Sequence, residues 1–109
     1  MWFIFPQADG LGHSAMARRY AIRSMGEATD YLAHPVLGAR LFECTRAMLA
    51  ASGSARAILG SPDDMKFRSS MTLFSAIESG AIYQEALDRF FDGQPDPLTV
   101  NIIAAWRTT

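Results

Sequence analysis

The chain reads as all-α: a compact single-domain bundle of five to six short helices. Three observations carry that reading. No stretch sustains the period-two alternation of a half-buried strand. Apolar residues instead recur at steps of three and four, and nearly every such segment is preceded by a cap residue and followed by glycine or a proline break.

The segments follow in order. Pro6 opens a loop, Gln7 to His13, punctuated by Gly10 and Gly12. Ser14 caps a first helix over about Ala15 to Ile22. Ser24 and Glu27 stand in the S-x-x-E spacing of a capping box, which starts a second helix running to Ala33. His34-Pro35 breaks it, and Pro35 suits the first turn of a third helix. There Leu37, Leu41, Cys44 and Met48 form one apolar stripe. Gly38 costs that helix ~1 kcal/mol relative to alanine, which points to close packing near its start. Gly53-Ser54 then caps a short turn, Ala55 to Leu59, closed by Gly60.

Ser61-Pro62-Asp63-Asp64 is a helix start with acids on the positive end of the dipole. Phe67, Met71 and Phe74 supply the buried stripe of that helix, supported by Leu73 and Ile77, and Gly80 is its expected stop. Tyr83, Leu87 and Phe90 line the next helix, which Gly93 ends. Asp96-Pro97 caps a last helix in which Leu98, Ile102 and Trp106 share a face.

Composition bounds the function. With 109 residues, half of them apolar and 19% charged, the chain has enough apolar material for a core and is not disordered. A formal charge of −1 argues against general nucleic-acid or acidic-membrane binding. A single cysteine, Cys44, excludes an intrachain disulfide and a cysteine-based metal site. No metal and no cofactor is implied. No apolar window approaches the ~20 residues of a membrane helix, and a cytoplasmic location is expected. The cations are nine Arg and one Lys, Lys66. Together with 17 Ala, that bias fits GC-rich coding and makes the lone ammonium the exception.

Three constellations bear on chemistry. Gly10-Leu11-Gly12-His13-Ser14 leads into a helix carrying Arg18 and Arg19, an arrangement that can present backbone N–H groups to an anion. It lacks the spacing of a phosphate-binding loop, and a plain turn before a capped helix is the favoured explanation. Lys66, Ser69 and Ser70 stand at i, i+3 and i+4, so one face presents an ammonium and two hydroxyls. Their bland use is close packing with the hydroxyls bonded to the preceding turn. His34, with Arg40 a turn into the next helix, reads first as a cap or surface residue, and Cys44 as a core thiol.

Taken together, Trp2-Phe-Ile-Phe-Pro-Gln7, Met16-Ala-Arg-Arg-Tyr20, Tyr31-Leu-Ala-His-Pro-Val-Leu-Gly38, Gly60-Ser-Pro-Asp-Asp64, Lys66-Phe-Arg-Ser-Ser-Met-Thr-Leu-Phe74 and Leu87-Asp-Arg-Phe-Phe-Asp-Gly93 resemble the bacterial family called domain of unknown function 1810. The resemblance spans nearly the whole chain in order. It implies a small all-helical cytoplasmic protein without an established activity. Family members are often labelled calpastatin, a name for a disordered, repeat-bearing inhibitor that this compact, repeat-free chain does not fit.

The resemblance also implies a further helical stretch before Trp2. On that expectation residues 1–109 form one helical domain lacking an N-terminal helical segment, and Trp2, Phe3, Ile4 and Phe5 lose their cover. At ~25 cal/mol per Å² of exposed apolar surface, the chain alone is expected to be marginal or to self-associate through exposed Trp2, Phe3 and Phe5.

A fainter similarity is to the NADAR superfamily of NAD and ADP-ribose metabolism, which includes N-glycosidases. Arg40 and Lys66-Phe67 with Ser69 and Ser70 are the counterparts it implies, whereas the superfamily's C-terminal Asp-x-x-Trp-Gly is absent.

Three functions follow. The first is binding of a small anionic metabolite, such as a nucleotide or ADP-ribose derivative, by Gln7, Arg18, Arg40, Lys66, Ser69 and Ser70. The second is an N-glycosidase acting on such a ligand with Asp63 or Asp64 as its acid. The third is a non-catalytic protein-interaction module built on the N-terminal aromatics. The sequence leaves open whether the protein is an enzyme. The first two expect Lys66, Arg40 and Gln7 to converge on one pocket.

Overall fold

Serine hydroxyls set where three of the helices begin. Ser14, Ser24 and Ser54 each accept a hydrogen bond at 3.0 Å from the backbone N–H three residues on, at Ala17, Glu27 and Ala57. Each satisfies one of the donors that a helix start leaves unpaired. Glu27 reaches back one residue beyond the cap and accepts from the Arg23 backbone N–H at 3.1 Å, a variant of the expected box. In the computed structural model, which describes residues 4–11, 14–78 and 81–108, the chain folds into seven helices. These are α1 (Ala15–Arg19), α2 (Met25–Ala33), α3 (Leu37–Ala50), α4 (Ala55–Leu59), α5 (Asp63–Ile77), α6 (Ile82–Phe91) and α7 (Pro97–Thr108).

The count exceeds the expected five to six because α1 and α4, five residues each, both close as separate helices. Among the described residues the only β pairing is a single parallel bridge between Ala8 and Ile22. Gly80, the expected stop of α5, lies outside the described residues. The third helix begins at Leu37 rather than at Pro35. His34 Nδ1 accepts from the Val36 and Leu37 backbone N–H groups, each at 3.1 Å, and so caps that start.

Helix α5 is central and packs against α2, α4, α6 and α7. Its Phe67, Met71, Leu73 and Phe74 are fully buried, each contributing about 1.5–3 kcal/mol by leaving water. Phe67 sits edge-on to Phe5 at 4.9 Å and to Phe90 at 5.8 Å between ring centroids. Phe74 lies between Tyr31 at 5.6 Å and Tyr83 at 5.8 Å. Phe5 is therefore core, packed on α5, and not part of an exposed patch. Trp2 and Phe3 lie outside the described residues.

Two further details differ from the pattern. In α7 the buried residues are Thr99 and Ile103, while Leu98 is 64% exposed. The Asp96 cap draws Thr99 inward and so rotates Leu98 out. The close packing expected at Gly38 is present, since a Cβ there would lie 2.1 Å from the Leu32 carbonyl oxygen. No helix among the described residues is long and apolar enough to cross a membrane.

Candidate functional site

A cleft of about 410 Å³ opens where the starts of α1, α5 and α7 meet the bridged loop segment. Ser14 and Ala17 of α1 form one wall, and Pro62, Met65, Lys66 and Ser69 of α5 form the second. Asp96 and Leu98 at the head of α7 close the third, with Gln7 and Leu11 from the loop. That volume lies in the range of small-molecule sites. Its mouth carries apolar Met65 and Leu98, 47% and 64% exposed, and polar groups stand among them.

Gln7 is held by backbone. The Ile22 N–H donates to the Gln7 carbonyl at 2.8 Å, and the Asp9 N–H donates to the Ile22 carbonyl at 2.8 Å. Lys66 enters from the first turn of α5, with Nζ 3.8 Å from Asp63 Oδ1. Ser69, one turn on, lies with Oγ 3.1 Å from the Met65 carbonyl oxygen and 3.2 Å from Asp96 Oδ2. One hydroxyl proton serves one of these acceptors at a time.

Asp96 is the most constrained group in the cleft. It is 8% exposed, and its Oδ2 also accepts from the Thr99 N–H at 3.1 Å and the Thr99 hydroxyl at 2.5 Å. Its own N–H donates to Thr72 Oγ1 at 2.9 Å, and that hydroxyl donates to the Arg68 carbonyl at 2.8 Å. The Arg68 guanidinium grips the chain just upstream, donating to the Gln94 and Pro95 carbonyls at 3.0 and 3.1 Å. A carboxylate held through one oxygen by three donors has a fixed orientation, and no described residue donates to its Oδ1.

Three of the expected ligand residues, Gln7, Lys66 and Ser69, share this cleft. The other three do not line it. Arg40 lines a separate cleft with Arg19 and Tyr31, so the expected convergence of Lys66, Arg40 and Gln7 is not found. Arg18 is exposed on α1, and its carbonyl accepts from Arg23 Nη2 at 2.8 Å. Ser70 points into the core, fully buried with Oγ lacking any partner among the described residues. Of the two expected acids, Asp63 pairs with Lys66, and Asp64 has a buried Oδ1 without a partner among the described residues. Neither lines the cleft. Gly12 and His13 lie outside the described residues.

Asp96 is what the sequence reading missed as a site residue. Its one signal, Asp-Pro before an apolar segment, names a cap. Nothing local couples it to a serine 27 positions earlier.

The family model for "Protein of unknown function (DUF1810)" matches residues 1–103. The chain belongs to that family. Every cleft residue of this DUF1810 chain, from Gln7 to Leu98, falls inside the matched span. It is also similar to the crystal structure, at 1.38 Å, of the conserved hypothetical protein Rv1873 from Mycobacterium tuberculosis. The two are 44% identical with a TM-score of 0.91, over 94% of this chain and 75% of the other. A comparison with curated proteins finds no match.

Proposed function

We propose that the protein binds a small anionic metabolite, such as a nucleotide or ADP-ribose derivative, in the cleft between α1, α5 and α7. The observation that carries this reading is the meeting of Lys66, Gln7, Ser69 and the fixed Asp96 in one space of about 410 Å³. The chemistry is two-sided. Lys66 and the N-terminal ends of α5 and α7 favour negative charge, since a helix start carries roughly half a positive charge. Asp96 favours a hydrogen-bond donor, as a sugar hydroxyl provides. Met65 and Leu98 at the mouth suit a flat apolar group such as a base. A phosphorylated nucleoside carries all three features.

The test is a thermal-shift series with nucleotides and ADP-ribose derivatives on the wild-type chain and on Lys66→Ala. A ligand at tenfold its dissociation constant adds about 1.4 kcal/mol, a rise of several degrees for a chain of this size. Lys66→Ala is expected to abolish the rise. A panel that leaves the melting temperature unmoved overturns the reading.

Asp96 favours a second reading, cleavage of an N-glycosidic bond. A carboxylate fixed in the cleft can stabilise positive charge developing on a sugar carbon. Mass-spectrometric release of a free base from a bound ligand, lost in Asp96→Asn, separates this enzyme from the binder.

A further inference from the structure

We propose that a second cleft, formed by the end of α1, α2 and the start of α3, binds a planar organic acid of single negative charge, its acid group held between Arg19 and Arg40.

The cleft has a volume of about 320 Å³, with Arg19 and Arg40 both in its lining. It is separate from the site discussed above because the bridged segment divides them. Consecutive residues of an extended segment face opposite sides, and here Gln7 lines the first cleft while Pro6 lines the second.

Three of the nine arginines are committed to backbone, and what sets Arg19 and Arg40 apart among the other six is that both line this cleft. Arg68 and Arg89 spend their guanidinium donors on backbone carbonyls, and Arg23 on the carbonyl of Arg18. Among the described residues, neither Arg19 nor Arg40 has a carboxylate within ion-pair distance or a guanidinium hydrogen bond. Arg19 instead lies over the Tyr20 ring, 5.5 Å from its centroid, a stacking that orients a guanidinium and leaves its edge donors available. Two guanidiniums without a protein acceptor in one concavity, Arg19 oriented by Tyr20 and Arg40 beside it in the lining, are a site for an oxyanion.

The other linings narrow the ligand. Pro6, Ala21 and Ile22 are buried and, with Leu37, give an apolar floor. A flat hydrocarbon or aromatic body fits it. Tyr31, held at 5.6 Å from the Phe74 ring, presents a phenol. Burial pushes its pKa up, with Arg40 pulling the other way, so the phenol keeps its proton and remains a donor. Glu27 shares the lining, with Oε2 accepting from the Arg23 N–H. Two cations and one anion leave a single positive charge, which balances a carboxylate better than a phosphate monoester of about −1.5 to −2.

The experiment is an amide-shift NMR titration of the whole chain with benzoate, benzyl alcohol, inorganic phosphate and phenyl phosphate. Benzoate is expected to move the amides of residues 19–22 and 31–40 saturably. Benzyl alcohol and inorganic phosphate are expected to bind at least tenfold more weakly, and phenyl phosphate more weakly than benzoate. Arg40→Gln and Arg19→Gln each weaken benzoate at least fivefold with the melting temperature unchanged, because both side chains are exposed. Lys66→Ala leaves benzoate binding as it was. Absence of a saturable benzoate response overturns the proposal, as does equal binding of benzyl alcohol or inorganic phosphate. Phenyl phosphate binding as tightly as benzoate overturns the single-charge claim. Loss of the response in Lys66→Ala, or its survival in both arginine variants, moves the ligand elsewhere and overturns the assignment.

Discussion

Ser69 and Asp96 meet across 27 residues of chain, with Ser69 Oγ 3.2 Å from Asp96 Oδ2. The contact ties the middle of α5 to the first turn of α7, and the backbone N–H of Asp96 adds a second tie to Thr72 on the same helix. One carboxylate therefore caps α7, docks it on α5 and forms part of the candidate cleft. Helix docking and the candidate cleft are coupled at a single residue.

That coupling predicts the behaviour of Asp96 variants. Asp96→Ala removes a cap, worth about 0.5–2 kcal/mol, and leaves the Thr99 hydroxyl without its acceptor, at about 1–3 kcal/mol for a buried group. Ser69 turns instead to the Met65 carbonyl. A total loss of about 2–4 kcal/mol is expected from urea denaturation. Asp96→Asn keeps one acceptor oxygen and should lose less than half as much. Equal loss in both variants would place the effect in the negative charge rather than in the hydrogen bonds.

Ser70 gives the opposite expectation. Its hydroxyl is fully buried and has no partner among the described residues, so it bears a desolvation cost with no compensating bond. Ser70→Ala should raise stability by about 1 kcal/mol and leave any nucleotide-induced thermal shift unchanged. A Ser70→Ala protein that is less stable, or that loses the thermal shift, refutes this placement.

The contrast between Ser69 and Ser70 shows where the sequence was legible. Helix starts were readable because a cap is local: Ser14, Ser24 and Ser54 each act on the residue three positions on. The core face of α5 was readable too, because Phe67, Met71 and Phe74 repeat at helical steps. Two adjacent serines on that helix were not separable, since a single 100° step decides which one meets the cleft and which the core. Arg40 lines a cleft apart from Lys66 for a related reason. Its position depends on how α3 docks on α2, which no spacing within either helix encodes. The face of α7 was displaced by one residue because the side chain of Thr99 bonds to its own cap. Periodicity of apolar residues carries no trace of that bond.

Gly38 and Leu32 make the docking of α2 on α3 testable. A Cβ at Gly38 would stand 2.1 Å from the Leu32 carbonyl oxygen and 2.8 Å from its carbonyl carbon. Both are backbone atoms, so no side chain can swing away. Relief requires separating the helices, against the usual gain of ~1 kcal/mol when alanine replaces glycine in a helix. Gly38→Ala is expected to destabilise by about 3 kcal/mol or more, beyond ordinary overpacking, measured by chemical denaturation. A neutral or stabilising result would mean that α2 and α3 do not cross this closely.

Tyr83 predicts how the fold responds to alkali. It is 2% exposed, and burial, followed by the charges of Glu78 and Tyr31, pushes its pKa up from 10.0 to about 12. Between these values the unfolded chain releases the phenolic proton and the folded chain keeps it. The unfolded state then binds fewer protons, so unfolding becomes more favourable as pH rises. The associated stability is whole below pH 10, declines above it, and is gone once pH passes about 12. A shift of this size corresponds to about 2–3 kcal/mol. Tyr31, whose pKa is also raised, adds to the decline in the same direction. Thermal melts in steps from pH 8 to about 11.5 should hold a plateau and then fall, and Tyr83→Phe should flatten most of that fall. An identical alkaline decline in Tyr83→Phe would assign the loss to other groups and remove the buried phenol from the account.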